Sequence, residues 1–283
     1  VRGYILTLSC PDRPGIVHAV AGFLTERRYN IVDSQQFGDA QTGRFFMRVQ
    51  FTPCADDDGV ESLRVHFSAV ANGFAMEWEL HDSADRSRLL LLVSRHGHCL
   101  NDLLYRWRAG MLSADIAGVV SNHRDFESLT TSYGLPFLYL PVDRSTKPEA
   151  EGRLLEIIHE EQIDLVVLAR YMQVLSPHVC DQLAGRAINI HHSFLPSFSG
   201  ARPYTQAHAR GVKLIGATAH YVTAELDQGP IIEQDVARVS HSLSPEQIAA
   251  VGRDVECVTL ARAVQWHLER RVLIDGPKTV VFR

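Results

Sequence analysis

The chain has 283 residues, 46% of them apolar and 22% charged, with a formal net charge of -5. That composition belongs to a soluble globular protein long enough for one large domain, or for a small domain followed by a medium one. No Lys/Arg block offers a nucleic-acid or membrane-surface patch, and no uninterrupted apolar run is longer than Leu89 to Val93, far too short for a bilayer span. From the N-terminus, Tyr4 to Ser9 alternates like a strand, and the turn Pro11 to Gly15 follows it. Ile16 to Leu24 then carries the i, i+3, i+4 apolar spacing of a helix. Asn30 to Gln36 and Arg44 to Phe51 read as a hairpin, Glu61 to Gly73 as a second helix, and Ala75 to Leu80 as a closing strand. This βαββαβ order predicts a ferredoxin-like α+β layer over residues 1–82, an antiparallel sheet with both helices on one face.

Within that order, the turn Asp12-Arg13-Pro14-Gly15-Ile16 resembles the hallmark of the ACT regulatory module. The resemblance implies an amino-acid effector held where two such modules meet, with Asp12, Arg13, Pro14 and Gly15 as the regulatory residues. Symmetric pairing of that kind makes a homo-oligomer the expected assembly. Pro14 presets φ at the helix start. Gly15 either lets a ligand approach the backbone or simply makes a tight strand-to-helix turn.

His81 to Ser87 is polar and without periodicity, and reads as the linker. From residue 88 to 283 the pattern changes to short apolar runs (Leu89 to Val93, Ile116 to Val120, Phe137 to Val142, Leu165 to Ala169, Ala187 to Ile190). Amphipathic stretches separate these runs. Such alternation predicts a Rossmann-like α/β domain with a mainly parallel sheet. Beyond it, Ile215 to Val222 and Ile231 to Val239 read as strands, and Pro245 opens a long helix towards Arg271. The five cysteines are scattered and include no C-x-x-C, so neither a disulfide framework nor a cysteine zinc site is expected, and a reducing cytoplasm fits best. Among the fourteen histidines, the pairs His96/His98 and His191/His192 lack the i, i+4 spacing with an acidic partner that marks a zinc enzyme, so no metal is expected.

The chemistry concentrates in Asn189-Ile190-His191-His192-Ser193-Phe194-Leu195-Pro196 and in Asp227 downstream. Ala187 to Ile190 reads as a buried strand, which puts the histidine pair at its C-terminal end, where open parallel sheets bind ligands. Asn189 can donate to an oxyanion, His191 can take up and return a proton near neutrality, and Asp227 can orient the imidazole or hold a water. Together they suffice for attack on a carbonyl carbon without a Ser or Cys nucleophile, and no G-x-S-x-G elbow is present. Each residue also has a plain structural use: Asn189 as a loop or capping residue, His192 as packing, Asp227 before Gly-Pro as a turn former.

Asn189-Ile190-His191, Leu195-Pro196 and Leu226-Asp227-x-Gly229-Pro230 resemble the formyltransferase superfamily that uses 10-formyltetrahydrofolate. The longer strings from Ile188 to Phe198, Gly200 to Tyr204 and Gly216 to Val222 resemble its hydrolytic, deformylating branch, as does the order of an ACT-like domain before a formyltransferase-like one. The resemblance implies hydrolysis of 10-formyltetrahydrofolate to formate and tetrahydrofolate, with the folate as substrate and no cofactor. It makes Asn189, His191 and Asp227 catalytic and lays the pterin against Met172, Gln173, Val174 and Leu175, where relatives often carry Arg at the position of Gln173. For Leu175, core packing is the alternative. His192, Ser193 and Gly229 are placed at the substrate by the same resemblance, and His98 is expected to help close the pocket. Glycinamide ribonucleotide transformylase carries a Gly-Asn-Gly-Ser-Asn loop after its first strand, and here Ser94-Arg95-His96-Gly97-His98-Cys99-Leu100 stands instead. One glycine cannot form a tight phosphate-cradling nest, which favours water as acceptor. The alternative activity is formyl transfer to an amine. A regulator with a decayed site is opposed by the intact Asn, His and Asp set.

Overall fold

The computed structural model describes every residue except 1–2, 55–56, 58 and 196–202, so the motif positions Pro196, Ser197, Phe198, Gly200, Ala201 and Arg202 lie outside the described residues. The chain divides into two compact units, Val1–Arg86 with Glu269–Asp275 and Val280–Arg283, and Ser87–Leu268 with Gly276–Thr279.

The first unit runs β1 (Tyr4–Pro11), α1 (Ile16–Glu26), β2 (Tyr29–Asp39), β3 (Arg44–Pro53), α2 (Val60–Phe74) and β4 (Glu77–Asp82). Its sheet has the order β2-β3-β1-β4, with β3 and β4 both antiparallel to β1. Alternate residues Tyr4, Leu6, Leu8 and Cys10 of β1 and Phe45, Met47, Val49 and Phe51 of β3 share one face. They form a single core with Ile16, Val20, Phe23 and Leu24 of α1 and Leu63, Phe67 and Ala71 of α2. Full burial of each large side chain contributes roughly 1.5–3 kcal/mol, which is what holds both helices on that face. Gly15 caps α1 at φ 98, a left-handed conformation that a side chain would strain. The linker is shorter than the polar composition suggests. His81 and Asp82 pair with Ile5 and Tyr4 as the end of β4, because polar side chains do not prevent ladder pairing, and Ser87 already belongs to the next strand.

The second unit contains β5 (Ser87–Val93), α3 (His98–Arg108), β6 (Ala114–Ser121), α4 (Glu127–Ser132), β7 (Phe137–Tyr139), α5 (Lys147–Glu160), β8 (Leu165–Leu168), α6 (Pro177–Gln182) and β9 (Ala187–His191). It continues through α7 (Pro203–Ala209), β10 (Leu214–Tyr221), β11 (Ile231–Arg238) and α8 (Pro245–Leu268). A terminal hairpin, β12 (Val272–Asp275) and β13 (Lys278–Val281), ends the chain. The sheet order is β11-β10-β9-β8-β5-β6-β7. Strands β9 to β7 in that order are parallel, and β10 and β11 add an antiparallel edge. Leu89 to Val93 of β5 are all buried, as a central strand covered on both faces requires. The strand order reverses beside β5, between β8 and β6, so the chain ends leaving β5, β8 and β9 open a crevice at their C-terminal edge.

Assignment of all residues 88–283 to the second domain needs correction at the tail, since residues 269–275 and 280–283 belong to the first unit. The cause is an arginine inside the sheet. Arg48 on β3 is 1% exposed, and its guanidinium donates to the Glu269 carbonyl at 3.1 and 3.2 Å and pairs with Asp33 at 3.0 Å. A buried cation demands such partners, and the tail backbone supplies one of them, the Glu269 carbonyl that accepts two of its hydrogen bonds. Among the described residues, no helix is long and apolar enough to cross a membrane.

Candidate active site

Asn189 and His191 stand two residues apart on β9, so the pleat turns both side chains to one face while Ile188 and Ile190 bury the other. Across the ladder, β10 sets His220 opposite Asn189 and Thr218 opposite His191. The Thr218 hydroxyl donates to the Ser193 carbonyl at 2.9 Å and accepts from the Leu195 amide at 3.1 Å, which fixes the chain as it leaves β9. Asp227 arrives from the loop between β10 and β11 in the left-handed conformation, φ 57, which Asp tolerates better than most residues. Two residues on, Gly229 passes so close to β10 that a Cβ would lie 1.7 Å from the Tyr221 carbonyl oxygen. The Tyr221 amide donates to the Pro230 carbonyl at 2.9 Å, closing the loop on the strand.

These constraints bring the Asp227 Oδ2 to 3.2 Å from His191 Nδ1. A carboxylate at that nitrogen keeps the proton on Nδ1 and leaves the lone pair on Nε2. His191 lines the cavity, and its Nε2 is buried and makes no hydrogen bond with the described residues. Hydrogen bonding from His191 first, and from His220 second, holds the Asp227 carboxyl well below the usual carboxylate range, against the opposing effect of burial. His220 Nδ1 lies 2.8 Å from the Tyr221 carbonyl, which can only accept, so Nδ1 carries a proton. In its neutral form His220 therefore accepts from the Asn189 amide at 3.2 Å through Nε2, leaving the second Asn189 N–H for the cavity. The same Nε2 lies 3.7 Å from the Asp227 Oδ1. A β-bulge between Ala219 and His220 re-aims the strand at this point.

The cavity has a volume of about 570 Å³ and lies at the C-terminal ends of β8 and β9. Its apolar side includes Met172, Val174 and Leu226, each more than half exposed although large and apolar. Exposed apolar side chains gathered on one wall of a concave cavity are a feature of small-molecule sites. The segment carrying Met172 and Val174 is anchored at the Met172 amide, which donates to the Ser94 hydroxyl at 2.9 Å at the end of β5. Gln173 also lines the cavity. Leu175 touches it but is 7% exposed and belongs to the core around β8 and α6, so the packing alternative describes most of its surface. His192 lines the wall, edge-on to His191 at 5.1 Å between ring centroids. Burial above all, then the nearby Arg170 and His191, lowers its pKa to about 4, so it is neutral where His191 works.

Two expected substrate contacts stand behind the wall. Ser193 is 4% exposed and Gly229 packs on Tyr221, and neither lines the cavity; their visible roles are to set the loops that carry His191 and Asp227. His98 does line it, with Nε2 2.8 Å from the Glu256 carboxylate. Among the described residues His98, Cys99 and Glu256 form one group whose donor atoms lie within 4.8 Å of one another, as a metal site requires. Arg170, however, places a guanidinium nitrogen 3.3 Å from the same carboxylate oxygen, and that cation opposes a second one. The Cys99 thiol, hydrogen-bonded with Cys257 and deeply buried, is pushed well above its usual pKa and is no nucleophile. In the first unit, Asp12, Arg13, Pro14 and Gly15 border a surface hollow of about 500 Å³, and the Arg13 guanidinium stacks over Phe74, 4.4 Å from the ring centroid.

His220, Leu226, Arg170, Tyr204 and Glu256 were not expected at the site, and all five line the cavity. His220 sits in a string that carries the family resemblance, as the seventh residue of β10 and opposite Asn189, so only the pairing register reveals its role.

Comparison with known proteins agrees with this architecture. Residues 87–264 match the formyl transferase family and residues 4–64 the ACT domain family. A formyltetrahydrofolate deformylase from Corynebacterium sp. (strain P-1) is 51% identical over 99% of this chain and 98% of its own length. The crystal structure of a formyltetrahydrofolate deformylase from Burkholderia mallei superposes with a TM-score of 0.95 at 53% identity, covering all of both chains. Glycinamide ribonucleotide transformylase 1 from Symbiobacterium toebii shares 29% identity and a TM-score of 0.65 over 70% of this chain and 95% of its own. With both domains matched in order and the likeness running from end to end, the chain belongs to the formyltetrahydrofolate deformylase family.

Proposed function

We propose that the protein hydrolyses 10-formyltetrahydrofolate to formate and tetrahydrofolate. The observation that carries this reading is the cavity-lining His191, whose Nε2 has no hydrogen-bond partner among the described residues and whose Nδ1 is held by Asp227 at 3.2 Å. A water seated at Nε2 gives up its proton there as its oxygen attacks the formyl carbon. The developing oxyanion takes the free N–H of Asn189, a donor worth about 3 kcal/mol in comparable sites. Asp227 stabilises the imidazolium formed at His191. His191 Nε2–H then protonates N10, the C–N10 bond breaks, and formate and tetrahydrofolate leave. The N10 lone pair is delocalised into its aromatic ring, which makes the protonated nitrogen a good leaving group. Met172, Val174 and Leu226 supply the apolar surface for the pterin, and no cofactor or metal enters any step.

Formyl transfer to an amine would use the same three residues, and acceptor dependence separates the two. Purified protein given 10-formyltetrahydrofolate in buffer free of amines should release formate stoichiometrically with tetrahydrofolate. A strict requirement for an added amine would overturn the hydrolytic assignment. For the first unit, the reading is a regulatory one: an amino acid bound at the hollow beside Asp12 to Gly15 in a cytoplasmic homo-oligomer. Sedimentation with and without amino acids tests that assembly, and a monomer under all conditions would remove it.

A further inference from the structure

Tyr221 is the last residue of β10 and takes no part in the steps above, yet the groups that do take part are seated on its backbone. Its carbonyl accepts from His220 Nδ1 at 2.8 Å, which leaves His220 Nε2 to meet the Asn189 amide at 3.2 Å. Gly229 packs against that same carbonyl oxygen, and the Tyr221 amide donates to the Pro230 carbonyl at 2.9 Å, so the loop that brings Asp227 closes on this one residue. Neighbouring residues of a strand face opposite ways, and so His220 turns to the cavity and Tyr221 to α8. There the buried Tyr221 hydroxyl and His267 Nδ1 lie 2.7 Å apart, and the two rings meet edge-on with their centroids 5.8 Å apart.

A phenylalanine would fill the same space, so packing alone does not call for the hydroxyl. A hydrogen bond adds direction to distance, and the tie to α8 therefore fixes the tilt of the Tyr221 ring and, with it, the backbone at the end of the strand. The approach of Asp227 to His191 Nδ1 at 3.2 Å depends on that backbone, because Gly229 lies so tightly on the Tyr221 carbonyl that the loop must follow it. We propose that Tyr221 and His267 are a positioning pair: their hydrogen bond holds the strand end on which the Asp227 loop rests, and so keeps the carboxylate on the catalytic imidazole. The inference deepens the hydrolytic reading above and rests on it.

Full-length Tyr221→Phe keeps the ring and removes the bond. Its kcat for formate release should fall about tenfold with KM nearly unchanged, the mark of a displaced catalytic group. His267→Leu should show the same fall, and His267→Gln, whose amide can still meet the hydroxyl, should recover most of it. Nitrogen NMR of the imidazoles separates positioning from packing: the His191 proton should sit on Nδ1 in wild type and be shared between Nδ1 and Nε2 in Tyr221→Phe and His267→Leu. Should Tyr221→Phe fail to fold, the two His267 variants decide, since they keep the tyrosine. Folded variants with a lower melting temperature but wild-type kcat and a wild-type His191 spectrum would make the pair a packing contact only and overturn the proposal. The spectra need no turnover, so loss of the hydrolytic reading would show separately, as wild type releasing no formate.

Discussion

Replacing Asp227 by Asn tests the centre of the mechanism with little disturbance of the fold. Asn has the same shape and tolerates the left-handed backbone at φ 57, so the loop should keep its path. What changes is the charge beside His191 Nδ1. At 3.2 Å, with an effective dielectric constant near 20, a carboxylate attracts the imidazolium by roughly 5 kcal/mol. Partial exposure of Asp227 and the bond that an amide oxygen still accepts reduce the loss to about 4 kcal/mol, or about a thousandfold in kcat. A second effect works in the same direction: the amide can present N–H to Nδ1, which moves the imidazole proton to Nε2 and removes the base. Both effects act on the transition state, so kcat and kcat/KM should fall together with KM nearly unchanged. The assay is formate release from 10-formyltetrahydrofolate, alongside a thermal melt showing that the variant is folded. A folded Asp227→Asn enzyme with kcat within about tenfold of the parent would refute the role of the pair.

Asn189→Ala should lower kcat by a factor of about 10²–10³ with little change in KM, as steady-state kinetics will read, because the oxyanion loses its neutral donor. Gly229→Ala drives a methyl group into the Tyr221 carbonyl and should cost about 3 kcal/mol in chemical denaturation, with activity falling further as the Asp227 loop shifts. His192 makes stability pH-dependent. Its folded pKa of about 4 lies below the ordinary histidine value of 6.5, so the unfolded chain takes up the proton first. The contribution is whole above pH 6.5 and is lost as the pH falls towards 4, about 3 kcal/mol in all, and His192→Gln should flatten that part of the stability profile.

The elements that could be read from the sequence are those whose burial is periodic. Tyr4 to Ser9, Ile16 to Leu24 and Leu89 to Val93 bury one face or both, and the alternation of apolar residues says so directly. The seven-residue α7 is too short to show a period, and the terminal hairpin has a mixed, partly exposed pattern. Assignment of the tail to the first unit depends on a buried guanidinium two hundred residues earlier, and local patterning cannot carry that. At the site, Asn189 and His191 are recognisable because β9 is a buried strand with two polar interruptions spaced by two. Asp227 is legible only through its flanking motif, since a lone Asp shortly before Gly-Pro reads equally well as a turn.

Glu256 differs from these cases, because a signal for it does stand in the sequence. Ile248, Gly252, Glu256, Leu260 and Val264 recur every fourth residue along α8, and all five are buried. A carboxylate on the buried stripe of an amphipathic helix is costly unless cations and donors meet it there. Its presence therefore requires partners from elsewhere in the chain, and Arg170, His98 and Tyr204 are what the fold delivers. Burial works against the charge, yet the hydrogen bond from His98 and the field of Arg170 together leave the Glu256 pKa below its ordinary value, so the group remains an anion in the cavity wall. The periodicity that locates a helix thus also marks, by its one violation, the place where the helix meets the catalytic cavity.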